Sequence, residues 1–255
     1  EDVFRGFVAE NALLAGAAIG QLADAAIEAG DAGDEKGEAA NFELADRIAR
    51  VYESVTGSRA PLDLAERYRT WTPPERAERR EAKTLEKKST EARAAGDPET
   101  AVARLEEAQA IYRKIGDKRS EAIVWGSLGV AHWARGDMDA VLASYEKALP
   151  ARRAIEDRIL EGRTLNGLGS ANYQKGRYDA AADFYREAVD LRRRTGDLGG
   201  LGTSLTYLGN AYVQAGRLVD ARGAYEEALA ILGESGDARQ RFEVTNSIGN
   251  LYFSM

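Results

Sequence analysis

Apolar and small residues follow a helical pattern along most of the chain. Leu165, Leu168 and Asn172 recur at three- and four-residue spacing, which places them on one face of a helix. Gly176 follows, and glycine readily adopts the left-handed conformation in which many helices end. A second helical stripe then begins, and its members are Tyr178, Ala181, Tyr185, Ala188 and Val189. This pattern predicts two helices joined by a tight turn.

The same pair of helices recurs at an interval of forty residues. The first helix is marked by Leu128-Gly129, Leu168-Gly169, Leu208-Gly209 and Ile248-Gly249. The second helix is marked by Tyr145, Tyr185 and Tyr225. A period of this length is typical of arrays in which each hairpin stacks on the next. We expect Tyr185 to pack against the first helix of the following repeat, and Arg192, Arg193 and Arg194 to lie at a helix end as cations that complement the helix dipole.

The repeat divides the chain into two expected parts. Residues 74–255 are predicted to form the regular array, with hairpins at about 74–115, 118–155, 158–195 and 198–235 and a terminal half-repeat at 238–255. Residues 1–73 are predicted to form a divergent N-terminal cap made of one helix and a degenerate hairpin, the latter near residues 36–70. Two prolines mark the break between the parts, because proline is favoured in the first turn of a helix.

These marks resemble the tetratricopeptide repeat. The residues that carry the resemblance are Trp125, Leu128-Gly129, Tyr145, Ala148, Leu168-Gly169, Ala181, Tyr185, Ala188, Leu208-Gly209, Tyr212, Ala221, Tyr225 and Ala228. The forty-residue period is similar to that of the longer variety of this repeat. The resemblance implies an all-α fold, a right-handed α-solenoid of stacked antiparallel hairpins. It also implies a non-enzymatic scaffold whose concave groove binds a peptide segment of another protein.

Composition removes several other classes of function. The net charge of −7 argues against broad nucleic-acid binding, and the absence of cysteine excludes disulfides and thiolate sites. No apolar run approaches the roughly 20 residues that span a bilayer. His132 is expected to pack between helices, and the acidic residues 30–38 lack the ligand spacing of a calcium loop. We therefore expect no cofactor and no metal, while both a cytoplasmic and an exported location stay open.

The first helix of each repeat carries a polar stripe on the face turned away from its packing stripe. In stacked hairpins these helices line the concave side, where asparagine can both donate hydrogen bonds to a peptide backbone and accept them from it. The stripe of the third clear repeat contains Thr203, Thr206, Asn210 and Val213. The residues expected to bind peptide are Trp133, Asn166, Ser170, Tyr173, Asn210, Asn246, Asn250 and Phe253. On the polar stripes of the first helices only Arg163 is basic. This argues against the carboxylate clamp that part of the family uses, because that clamp is built from lysine and arginine.

The two ends of the chain provide an alternative, self-association. Ala18, Leu22 and Ala25 have the spacing of a second repeat helix, and Ile248, Leu251 and Tyr252 would lack cover in a terminal half-repeat. We expect either that the natural chain continues past Met255, which we favour, or that another copy covers these residues. The latter contact would run head to tail, as an oligomer or filament. A further alternative is the recognition arm of a larger enzyme or signalling protein, since long-repeat arrays of bacteria are similar to those fused to such modules.

Overall fold

The chain is all-α. A computed structural model describes residues 12–56, 58, 60–235 and 238–254, together with Gly6 and Val8. Twelve helices and no strand occur in these ranges. They are α1 (Ala12–Asp31), α2 (Glu35–Thr56), α3 (Ala60–Arg69), α4 (Pro73–Ala94), α5 (Pro98–Ile115), α6 (Lys118–Arg135), α7 (Met138–Ala154), α8 (Arg158–Gln174), α9 (Tyr178–Thr195), α10 (Leu198–Gln214), α11 (Leu218–Ser235) and α12 (Ala238–Ser254). None of these described helices is both long and apolar enough to cross a membrane. The expected all-α class of consecutive hairpins is confirmed.

Recurring Gly-Asp pairs end one helix and begin the next. Gly196 closes α9 with a φ of 68°, in the left-handed region. Asp197 then accepts a hydrogen bond at 2.9 Å from the backbone N–H of Gly200 in the first turn of α10. Asp97 and Asp117 accept the equivalent bonds, each at 3.0 Å, at the starts of α5 and α6.

Glu156 departs from this turn pattern. Its φ is 56°, although other turns of the array have glycine in the left-handed region. The Glu156 carboxylate accepts hydrogen bonds from the hydroxyls of Tyr52 and Ser58, each at 2.7 Å. A residue with a Cβ costs about 1 kcal/mol or more in this backbone conformation. The two hydrogen bonds offset that strain and tie α2 and Ser58 to the turn before α8.

We expect Glu156→Ala to destabilise the protein by about 1 kcal/mol more than Glu156→Gly, because only glycine relieves the backbone strain. Both variants lose the bonds to Tyr52 and Ser58, so their difference isolates the cost of the positive φ. Urea denaturation followed by circular dichroism measures it. Equal free energies of unfolding for the two variants would contradict a strained Glu156.

The chain divides into two compact units. The first comprises Glu1–Asp137 with Glu146–Leu160, and the second comprises Met138–Tyr145 with Glu161–Met255. In the first unit α1 packs against α2 and α3, and α4, α5 and α6 pack in succession. In the second unit α9, α10, α11 and α12 pack in succession, and α12 also contacts α10. First helices of successive repeats therefore lie side by side in the second unit.

A buried network of charges lies inside the first unit. Asp117 has no exposed surface and accepts hydrogen bonds from the Tyr68 hydroxyl at 2.8 Å and from Arg79 Nε at 3.1 Å. Arg79 is 2% exposed and also pairs with Asp24 of α1, which pairs in turn with Arg119 at 2.8 Å. Burial raises the pKa of Asp24 against the lowering effect of the two arginines. The network joins α1, α4 and α6.

The second unit is assembled on contacts between glycine and tyrosine. The Tyr185 ring lies directly on Gly169, where an added Cβ would stand 2.5 Å from Cε1. Tyr225 lies on Gly209 in the same way one repeat later. The absence of a side chain on these glycines lets each ring of a second helix reach the backbone of its first helix. The Tyr185 ring centroid is also 5.5 Å from that of Tyr207, so it contacts the following repeat as predicted.

Candidate peptide-binding site

Three first helices of the second unit meet around a pocket of about 220 Å³. Tyr173 of α8, Asn210 of α10 and Asn250 of α12 all contribute to it. The complete lining is Tyr173, Asn210, Val213, Gln214, Tyr225, Ser247, Asn250 and Leu251. The structure thus brings together three residues that the sequence predicts to bind peptide.

Tyrosine hydroxyls organise the polar side of this pocket. Tyr225 belongs to the second helix α11, and its hydroxyl donates a hydrogen bond to Asn210 Oδ1 at 2.6 Å. Burial raises the pKa of Tyr225 to about 12, although a hydrogen bond with Ser247 opposes the shift. Burial likewise raises the pKa of Tyr173, which is hydrogen-bonded to Gln214. Both phenols therefore stay protonated at neutral pH, and the Tyr225 hydroxyl is a hydrogen-bond donor.

Ser170 holds the place of Asn210 in the preceding repeat. Its hydroxyl lies 2.9 Å from the hydroxyl of Tyr185. Burial raises the pKa of Tyr185 to about 12, which keeps this phenol protonated as well. In both repeats the polar residue after the glycine binds the tyrosine that crosses that glycine. Ser170 and Asn210 therefore position an aromatic ring.

Asn166 lies in the contact between repeats. It is 8% exposed, and its Oδ1 accepts a hydrogen bond from the Ser204 hydroxyl at 2.9 Å. Arg192 donates to the same hydroxyl at 2.9 Å and to the carbonyl of Gly200. Arg192 lies in the last turn of α9, as the sequence predicts. Its side chain is nevertheless buried and links α9 to α10. The Asn166 amide is thus engaged inside the second unit.

The other predicted residues have varied surroundings. Trp133 is half-buried on α6 of the first unit, and Asn246 is exposed on α12. Ile248 packs against the core of the second unit, in which Leu251 is buried. The residues expected to self-associate on α1 are all half-buried in the first unit, namely Ala18, Leu22 and Ala25. The side chains of Tyr252 and Phe253 lie outside the part of the chain that the structure describes.

Five pocket residues were not among the predicted binding residues: Val213, Gln214, Tyr225, Ser247 and Leu251. Gln214 is four residues after Asn210 and Ser247 is three before Asn250, so helical spacing alone could have identified them. Tyr225 gives no such signal, because it lies on a second helix and reaches the pocket only by crossing Gly209.

Among the described residues, no group of three or more histidine, aspartate or glutamate side chains is placed to hold a metal ion. His132 is half-buried on α6. Burial, reinforced by Arg135, lowers the pKa of His132, so its imidazole is neutral at physiological pH.

Solved structures share this arrangement of helices. The repeats of a Podospora anserina protein described as a kinesin light chain match with a TM-score of 0.60 and 17% identity, covering 71% of this chain and 87% of that one. Aspartyl phosphate phosphatase F from Bacillus subtilis matches with a TM-score of 0.62 and 14% identity, covering 85% and 64% of the two chains. A signal transduction ATPase with a tetratricopeptide repeat sensor, from Pyrococcus horikoshii, matches with a TM-score of 0.52 and 18% identity, covering 91% and 41%. At these identities the likeness concerns the fold.

Sequence comparison identifies the family. A search of curated proteins found no match to the chain. The family model described as tetratricopeptide repeat matches residues 80–154, 120–194 and 160–234, which together cover more than half of the sequence. The resemblance inferred from the repeat marks is confirmed. The chain belongs to the tetratricopeptide repeat family, whose members are generally protein-interaction scaffolds.

Proposed function

We propose that this protein is a non-enzymatic scaffold that binds an extended segment of a partner protein at the pocket between α8, α10 and α12. The observation that carries the proposal is the convergence of Tyr173, Asn210 and Asn250, from three successive repeats, on one concave site. Ligand sites in proteins are concave and combine apolar walls with a few placed polar groups, as this pocket does.

The lining of the pocket defines the chemistry of its ligand. None of the eight lining residues is charged, and Val213 and Leu251 provide apolar surface. The amides of Asn250 and Gln214 can each donate and accept hydrogen bonds. An uncharged side chain with an apolar body and a polar tip fits these groups best. The asparagine amides then bind the peptide backbone on either side of that anchor.

Two substitutions test the pocket. We expect Asn250→Ala to weaken peptide binding by about fivefold to tenfold, the effect of losing a hydrogen bond worth roughly 1 kcal/mol. Val213→Glu should weaken it by more than about tenfold, because a carboxylate would be desolvated by the ligand. Peptides selected from a displayed random library, then synthesised, provide the ligand for isothermal titration calorimetry.

Asn41→Ala is the matched control, since Asn41 is a half-buried asparagine on α2 of the first unit. Its affinity for the selected peptide should equal that of the unmodified protein. Selected peptides that bind all four proteins equally would show that the pocket is not the binding site.

A further inference from the structure

An accessible aromatic ring lies on α10, one turn nearer the start of the helix than the pocket. Tyr207 is three residues before Asn210 and seven before Gln214, so helical spacing places it on the same face as these two lining residues. Its side chain is 39% exposed, although α10 packs against both α9 and α11. The ring centroid lies 5.5 Å from that of Tyr185, which is buried. The Tyr207 ring is therefore both exposed and supported.

An exposed cation lies near this ring, at the contact between α8 and α10. In the part of the chain that the structure describes, Arg163 has no ion-pair or hydrogen-bond partner. Arg163 and Tyr207 both act electrostatically on the buried guanidinium of Arg192, which places them close to one point. Burial lowers the pKa of Arg192; Asp197, 3.5 Å away, opposes this effect, and the positive charge of Arg163 adds to it. A negatively charged ligand at Arg163 would stabilise both arginines.

The first unit contains a precedent for this contact. Lys83 of α4 lies eighty residues, or two repeats, before Arg163. Its ammonium group pairs with the carboxylate of Glu28, which belongs to α1. The hydrogen bond from Lys83 lowers the pKa of Glu28 and so favours the ionised carboxylate. A neighbouring segment of this same chain thus supplies an acidic side chain to the basic residue at the equivalent position of the repeat.

We propose that Arg163 and Tyr207 form a second subsite of the groove, which binds a glutamate or aspartate side chain of the partner segment. The inference rests on the proposed function, because its reference point is the anchor, the partner residue whose side chain fills the pocket. The opposite charges of Arg163 and a carboxylate select the acidic side chain. The Tyr207 ring provides apolar surface between that carboxylate and the pocket.

The geometry of the groove sets the spacing of the partner residues. Arg163 and Tyr173 are ten residues apart on α8, which is about 15 Å along a helix. An extended peptide spans about 13 Å in four residues, and its alternate side chains point to the same side. We therefore expect the acidic residue four positions from the anchor. The residue two positions from the anchor then packs on the Tyr207 ring.

Peptide selection tests this spacing. Peptides selected from a displayed random library on the unmodified protein should carry glutamate or aspartate four residues from the anchor. The anchor is identified as the residue whose replacement by alanine makes binding insensitive to Val213→Glu. Selection on Arg163→Glu should instead yield lysine or arginine at that place, because like charges repel.

Calorimetry with one selected peptide, amidated at its C-terminus, measures the contact and excludes a chain-end carboxylate as its source. Arg163→Gln should weaken binding by about fivefold and reduce its salt dependence, since an exposed ion pair is screened by salt. Arg163→Glu should weaken it by more than about twentyfold, and lysine in place of the acidic residue should restore most of the affinity. Glycine two residues from the anchor should weaken binding to the unmodified protein but not to Tyr207→Ala.

Arg194→Gln is the matched control, because Arg194 is an exposed arginine at the end of α9 in the second unit. Its affinity for the peptide should equal that of the unmodified protein. Peptides that respond to Val213→Glu but not to Arg163→Gln would overturn the second subsite and leave the pocket in place. Peptides that respond to neither substitution would overturn the proposed function, and the second subsite with it.

Discussion

Asp117→Ala is expected to lower the free energy of unfolding by about 3–5 kcal/mol, the usual cost of removing one partner of a buried ion pair. Asp117 has no exposed surface and satisfies the Tyr68 hydroxyl, Arg79 Nε and the backbone N–H of Ser120 at once. Without it the Arg79 guanidinium, 2% exposed, keeps only Asp24 as a carboxylate partner among its described ion pairs. Urea denaturation followed by circular dichroism measures the loss.

Asp97→Ala separates the network from the helix cap. Asp97 accepts the same cap bond from Thr100 at 3.0 Å as Asp117 accepts from Ser120, but it is exposed. We expect this variant to lose only the small stabilisation of an exposed cap. Restoring part of the Asp117→Ala loss by adding Arg79→Met would show that the unpaired guanidinium causes it. Equal losses in the two aspartate variants would mean that the buried network adds nothing to the cap.

The forty-residue period predicts the elements of the array because it reflects local chemistry. Gly196 and Asp197 end one helix and begin another through contacts within a few residues. The buried network of the first unit has no such signal. Arg79 meets Asp117 across 38 residues and Asp24 across 55, so only the tertiary fold brings these charges together. A charged residue within a helical stripe is indistinguishable in sequence from one on a solvated face.

The same distinction between local and tertiary contacts applies to the candidate site. Asn210 and Asn250 occupy one position of the repeat, so their meeting at the pocket follows from the stacking of hairpins. Asn166 lies on the same polar stripe of its own first helix, but it is buried against Ser204. Ser204 belongs to the next repeat, and only the stacking of hairpins brings it near. The long side chain of Arg192 completes that contact. Helical spacing therefore predicts which face a residue occupies, whereas its neighbours across the repeat determine whether it stays accessible.

Gly209→Leu is expected to destabilise the second unit by about 3 kcal/mol, through overpacking of a close helix contact. A Cβ at this position would stand 2.6 Å from Cδ1 of Tyr225 and closer still to Cε1. The ring cannot turn aside freely, because it is 2% exposed and its hydroxyl binds Asn210 at 2.6 Å. Displacing Tyr225 would also remove one wall of the pocket, so peptide affinity should fall together with stability.

Gly249→Leu is the control, because it makes the same substitution at the same position of the repeat, where an added Cβ meets no atom within 4 Å. Both variants gain about 1 kcal/mol of helix propensity over glycine. At Gly249 that gain should appear as a higher urea midpoint. At Gly209 the collision with Tyr225 should outweigh it. A loss of stability in Gly209→Leu together with a gain in Gly249→Leu would establish that the glycine is needed where a tyrosine ring packs on it. A stabilised Gly209→Leu would instead show that the ring moves without cost, and the contact between the two helices would have to be assigned to other residues.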